Sequence, residues 1–175
     1  MMHSLTRFIC CGAVVLLIGC EETQYVHVGP NWESLQQLQP GEGSFPVEVR
    51  GPEHEAVGEK IEFSVRSQKS GSLWVVQVDP ADEVSLVYPN AAAKQAPITA
   101  DTWQQVPPAD AAWTLEADEP LGTSIFAFIV TTGDTDISDI LAQGEGNKTA
   151  MSKAVRVVTE GGAWGMAKQV LKVQK

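Results

Sequence analysis

Cysteine is almost missing from this chain of 175 residues, and the little there is lies at one end. Cys10, Cys11 and Cys20 are the three, and none follows Cys20. That excludes a disulfide framework, a CxxC redox pair and a cysteine-bound zinc across the body of the chain. Histidine is nearly as scarce: after His3 only His27 and His54 remain. A Ser-His-Asp triad would have to use one of them, and no G-x-S-x-G elbow accompanies either. HExxH, the P-loop and the dinucleotide fingerprint are missing as well. Positive charge is short, with 12 Lys and Arg against 22 Asp and Glu for a net −10. This argues against nucleic acid, whose phosphates need a basic surface, and against adhesion to anionic lipid by charge. No apolar run approaches the roughly 20 residues a membrane-spanning helix needs. What is present is 43% hydrophobic residues and five Trp, enough for one globular domain without staples.

The longest apolar run is Phe8 to Ile18, short enough to be a signal-peptide h-region after the single charge of Arg7. Leu17-Ile18-Gly19-Cys20 follows and resembles the lipobox of bacterial lipoproteins. The resemblance implies that residues 1–19 are removed and that the Cys20 thiol receives a diacylglyceryl group, with acylation of the new α-amine. Cys20 is then the one cysteine left, so its role is anchoring rather than stapling. Two or more acyl chains suffice for a stable anchor, whereas one binds only marginally. Glu21 is not the Asp that retains many such proteins in the inner membrane, so the outer membrane is favoured.

Removing residues 1–19 leaves 11 basic and 22 acidic side chains, a formal −11, unevenly spread. Cys20 to Asn147 holds 21 acidic and five basic residues, a formal −16, whereas Lys148 to Lys175 holds six basic and one acidic, a formal +5. The lipidated cysteine and an acidic, Gly- and Pro-punctuated tether occupy 20–43, and a β domain occupies 44–175. The segment from Glu21 to Gly43 reaches at most about 80 Å when extended. Within it Trp32, Leu35 and Leu38 follow Asn31, a candidate N-cap, at helical spacing. This predicts a short helix that docks on the domain.

From Gly43 onward the apolar period is two. Phe45, Val47 and Val49 alternate with polar residues, as do Ile61, Phe63 and Val65. Leu73–Val78 is a near-continuous apolar run that turns at Asp79-Pro80-Ala81-Asp82 and returns over Val84–Tyr88, a hairpin. Ile98–Val106 predicts a short edge strand, and Trp113, Leu115 and Ala117 alternate as another. Ser124 to Thr131 predicts the most buried strand. Asp136 to Leu141 suggests one helical turn, Met151 to Val158 a helix over 149–159, and Trp164 to Val173 a lysine-bearing edge strand. The fold class is mainly β: a β-sandwich or partly open barrel of about eight short strands, with one or two short helices near the C-terminus.

The stretch from Val57 to Val130 is similar to a bacterial domain family of unknown function. The matching residues are Gly58, Phe63, Gly71, Leu73, Val78-Asp79, Leu86, Tyr88-Pro89-Asn90 and Glu119-Pro120-Leu121-Gly122. The family's aromatic after the glycine is displaced here to Ser72-Leu73-Trp74. Its members are often lipoproteins or accessory domains of exported proteins, and it brings no catalytic residues to transfer.

Glu53, His54 and Glu55 are adjacent in a loop and rarely converge on one ion in that arrangement. Asp134-Thr135-Asp136-Ile137-Ser138-Asp139 resembles a calcium loop but lacks its glycine and its terminal glutamate. No catalytic, cofactor-binding or metal-ligating residue is assigned. The candidate ligand or partner surface is Tyr88, Asn90, Trp103 and Trp113, where exposed rings would stack on a sugar or hold a peptide. The expected function is a lipid-anchored envelope protein whose non-catalytic domain binds another envelope protein. The alternatives are recognition of glycan or peptidoglycan fragments, or an accessory role in a secretion or surface-assembly system.

Overall fold

Two strands with apolar side chains on both faces set the architecture. Five of the eight residues of Gly71–Val78 (β4) and eight of the ten of Gly122–Thr131 (β8) are buried, in consecutive runs, so both faces must be covered. The computed structural model describes residues 29–40, 42–133 and 163–175. The expected signal peptide, Cys20, His27, the calcium-like Asp134–Asp139 segment, the helical turn expected over Asp136–Leu141 and the helix expected over 149–159 lie outside the described residues.

The other elements are a helix, Pro30–Gln37 (α1), and the strands Val47–Arg50 (β1), His54–Ala56 (β2), Phe63–Ser67 (β3), Val84–Tyr88 (β5), Pro97–Ile98 (β6), Gln104–Val106 (β7) and Trp164–Gln174 (β9). A larger sheet runs β2-β9-β8-β4-β5, with β6 joined to β4 beyond the end of β5. A smaller one runs β1-β3-β7. The larger sheet is antiparallel except where β2 lies parallel to the end of β9. The described residues are thus mainly β, two sheets with no closed barrel among them.

The alternation of β8 divides the core in two. Phe126, Phe128 and Val130 point between the sheets, where they meet Phe63, Val65, Val75 and Leu171. Phe63 packs edge-on to Phe128, with ring centroids 4.9 Å apart. Ile125, Ala127 and Ile129 point to the opposite face, against Trp74, Val76, Trp164 and the helix residues Trp32 and Leu35. The order is therefore small sheet, large sheet, helix, with the large sheet in the middle.

The helix predicted around Trp32 forms and docks. Its N-cap is Gly29 and not Asn31, which lies inside the helix; Pro30 takes the first position. Gly29 has no side chain to cap with, and the β4–β5 turn supplies one instead. The Asp82 carboxylate accepts the backbone N–H groups of Asn31 at 3.1 Å and Trp32 at 2.8 Å, and Asn31 Nδ2 donates to the Asp82 carbonyl at 2.9 Å. A Cβ on Gly29 would collide with the Asp82 carboxyl, so this approach requires glycine. At the other end the Lys168 ammonium, on β9, donates to the Gln36 carbonyl. Negative charge at the N-terminus and positive at the C-terminus both oppose the helix dipole. Residues 30–37, assigned from the sequence to the tether, thus join the folded body expected from residue 44.

Four other expectations are corrected. The Glu53-His54-Glu55 loop is in part a strand, β2. Ile98–Val106 is two strands in different sheets, β6 and β7, so the chain crosses between layers there. The Trp113–Ala117 alternation forms no strand, only a bridge of Glu116 to Lys60 flanked by backbone bonds to residues 58–61. Finally, β9 is not a free edge along its length, because β2 pairs with Lys172–Gln174.

Candidate functional site

The small sheet covers only part of the large sheet's inner face. Where it stops, a half-open cleft of about 1300 Å³ remains at the end marked by the β4–β5 turn. Its floor is the large sheet: Phe126 and Ser124 of β8, Gln77 of β4, and Leu171 and Val173 of β9. Its walls are β5 and the loop after it on one side and residues 115–120 on the other.

The floor carries one polar pair. Ser124 is 2% exposed, and Gln77 Nε2 donates to its hydroxyl at 3.3 Å. Among the described residues the rim is acidic, with Asp79, Glu83, Glu116, Asp118 and Glu119 lining the cleft against Lys94 as its one cation. Two of these carboxylates also shape the wall: Asp79 Oδ1 accepts the N–H groups of Ala81 and Glu83, and Asp118 Oδ1 accepts that of Glu119. Among the described residues Phe126 is the one aromatic in the lining and is 1% exposed. Among the described residues, no three His, Cys, Asp or Glu side chains converge to hold a metal ion, and no helix is long and apolar enough to cross a membrane.

The residues singled out in the sequence are dispersed by the fold. Tyr88 and Trp113 meet, with ring centroids 5.5 Å apart, at the margin of the inter-sheet core. Burial pushes the Tyr88 hydroxyl above its usual pKa of 10.0, and the Asp110 charge adds to the effect. Asn90 spends its side chain on the turn after β5. Its Nδ2 donates to the Val87 carbonyl at 3.1 Å, and its Oδ1 accepts the N–H groups of Ala92 and Ala93. Asn90 also lines the cleft.

Trp103 lies elsewhere, on the outer face of the small sheet, beneath the guanidinium of Arg50 at 4.1 Å and near that of Arg66 at 5.1 Å. Arg66 in turn pairs with Glu48 at 2.6 Å. The two indoles therefore share no platform: the sheet separates them, and Trp103 already stacks on cations. His54 is on β2 beside a shallow hollow with Thr123, Lys168 and Lys172.

The cleft was not found by sequence reading. Its carboxylates come from two turns distant in the chain, and its floor residues lie inside strands whose pattern announces burial. The pairing of Asp with Pro and Gly turns at both places was the one available signal.

Of the positions that carried the family resemblance, some are scaffold, while Asp79, Leu86, Pro89, Asn90, Glu119 and Pro120 also line the cleft. A Cβ on Gly71 would strike the Thr131 carbonyl of the neighbouring strand, Leu73 and Phe63 are core, and Asp79 and Asn90 bind their own turns. No curated protein and no solved structure matches the chain. Residues 55–134, which take in β3 to β8 and both acidic walls of the cleft, match the model of a family described as a domain of unknown function, DUF4384.

Proposed function

We propose that this protein is a lipid-anchored component of a bacterial cell envelope whose β domain binds another protein without catalysis. The anchor is Cys20, supported by the lipobox resemblance of Leu17-Ile18-Gly19-Cys20 and by the lack of any later cysteine. With Glu21 after it, the outer membrane is the favoured location. The binding reading rests on one observation: the sandwich is left open over a cleft of about 1300 Å³. Small-molecule sites usually occupy roughly 300–1,000 Å³ and enclose their ligand. A larger, half-open cleft suits a segment of a macromolecule.

Among the described residues the lining offers carboxylates, one amide–hydroxyl pair and a lysine, groups that hold a partner segment by charge and hydrogen bonds. The glycan alternative loses the geometry that motivated it, because Trp103 and Trp113 lie on opposite sides of the small sheet. A secretion or surface-assembly role is one setting in which the same cleft would work.

Photocrosslinking in living cells tests this reading. A crosslinker replacing Glu116 or Ser85 is expected to capture one discrete protein adduct, while one replacing Arg50 on the outer face captures none. Equal capture from both positions, or none from either, contradicts the reading.

A further inference from the structure

The chemistry of the cleft narrows what fills it. Five carboxylates face one ammonium across its lining, so an acidic, phosphorylated or nucleic-acid segment would be repelled. A glycan would need an exposed aromatic face, and the lining's one ring, Phe126, is buried. The wall supplies a different recognition element. β5 ends the large sheet, and among the described residues it pairs with β4 alone. Its sequence, Val-Ser-Leu-Val-Tyr, contains no charge and no proline, the usual guards of an exposed edge.

We infer that the cleft receives an extended peptide segment of a partner protein, added beside β5 and carrying lysine or arginine at alternate positions. This deepens the binding function proposed above and rests on it. Side chains on a strand point to one face at every second residue, about 6.6 Å apart. A strand added at β5 therefore turns one set over the cleft and the other toward the helix side. The set over the cleft lies between the carboxylates of the β4–β5 turn and those of residues 116–119.

A long basic side chain suits this site in both its parts. Its methylenes lie along the half-buried Leu86 and Leu115, while its head stays among the rim carboxylates. A head that goes deeper meets the half-buried side chain of Gln77. Main-chain pairing supplies affinity, and the alternation of charge supplies selectivity.

The test uses the full-length protein in detergent micelles and fluorescent peptides long enough to span β5. One alternates lysine with valine, one alternates glutamate with valine, and one carries the same lysines in a single block. The alternating basic peptide is expected to bind, and more weakly as salt rises. Glu116, Asp118 and Glu119 are exposed, so the combined E116Q, D118N and E119Q variant should fold normally. It is expected to bind roughly tenfold more weakly. Lys94→Glu, which adds a sixth carboxylate in place of the ammonium, should strengthen binding.

Binding left unchanged by the triple variant overturns the cleft assignment. Equal affinity for the block peptide, or full competition by spermidine, overturns strand addition. Equal affinity for the acidic peptide, or displacement by peptidoglycan fragments alone, overturns the basic occupant. Failure of every basic peptide overturns the inference as a whole. Crosslinking in cells still reports separately on whether the cleft binds a protein.

Discussion

Asp82 does more than any other single residue to join the parts of this molecule. It sits in a turn with a left-handed backbone, φ 65°, which aspartate tolerates better than most residues. From there its carboxylate closes the N-terminus of a helix 50 residues earlier in the chain. Asp82→Gly keeps the backbone conformation and removes both acceptors, so urea denaturation should show a loss of about 1 kcal/mol, the usual worth of an N-cap. Tyr88 offers a second test. Its pKa is raised in the folded state, so its stabilising effect is complete below pH 10 and is lost as pH rises through the folded value. The phenolate absorbance should therefore show a titration midpoint above 10 that disappears in Tyr88→Phe, leaving only Tyr25. The same variant should lose less stability between neutral and strongly alkaline pH than the parent protein.

Helix and strands differ in how far their sequences announce them. β4 and β8 were legible because burial on both faces demands nearly continuous apolar residues, and β5 because the Asp-Pro turn marks where the hairpin reverses. β2 was not, since His-Glu-Ala has no strand pattern and forms by pairing with the end of β9, more than a hundred residues away. Trp113–Ala117 failed in the opposite way, because an alternating pattern makes a strand only where a neighbour lies alongside. The docking of α1 was visible in its apolar spacing, but its two latches were not, since Asp82 and Lys168 belong to distant turns and strands. Both latches are polar and near the surface, so α1 should open independently of the sheet. Hydrogen exchange in a combined Asp82→Gly and Lys168→Gln variant is expected to lose protection over residues 30–37 while β4 and β8 keep theirs. Equal loss across all three would show that the helix is integral to the sheet's stability.

At the scale of the whole molecule, the cleft exists because one sheet is smaller than the other. No residue pattern encodes that difference, which explains why the sequence pointed to the aromatic residues instead. The acidic balance visible in the composition does reappear there, concentrated on the rim. The docked helix also shortens the proposed leash. Nine residues separate Cys20 from Pro30 and reach at most about 32 Å, so the cleft would work close to the membrane surface. That arrangement depends on Cys20 more than on any feature of the domain. Growth with an alkyne-bearing palmitate analogue tests it most directly: the parent protein should take up label and sediment with the membranes, and Cys20→Ser should do neither. A Cys20→Ser protein that still carries label, or remains with the membranes, would contradict the account.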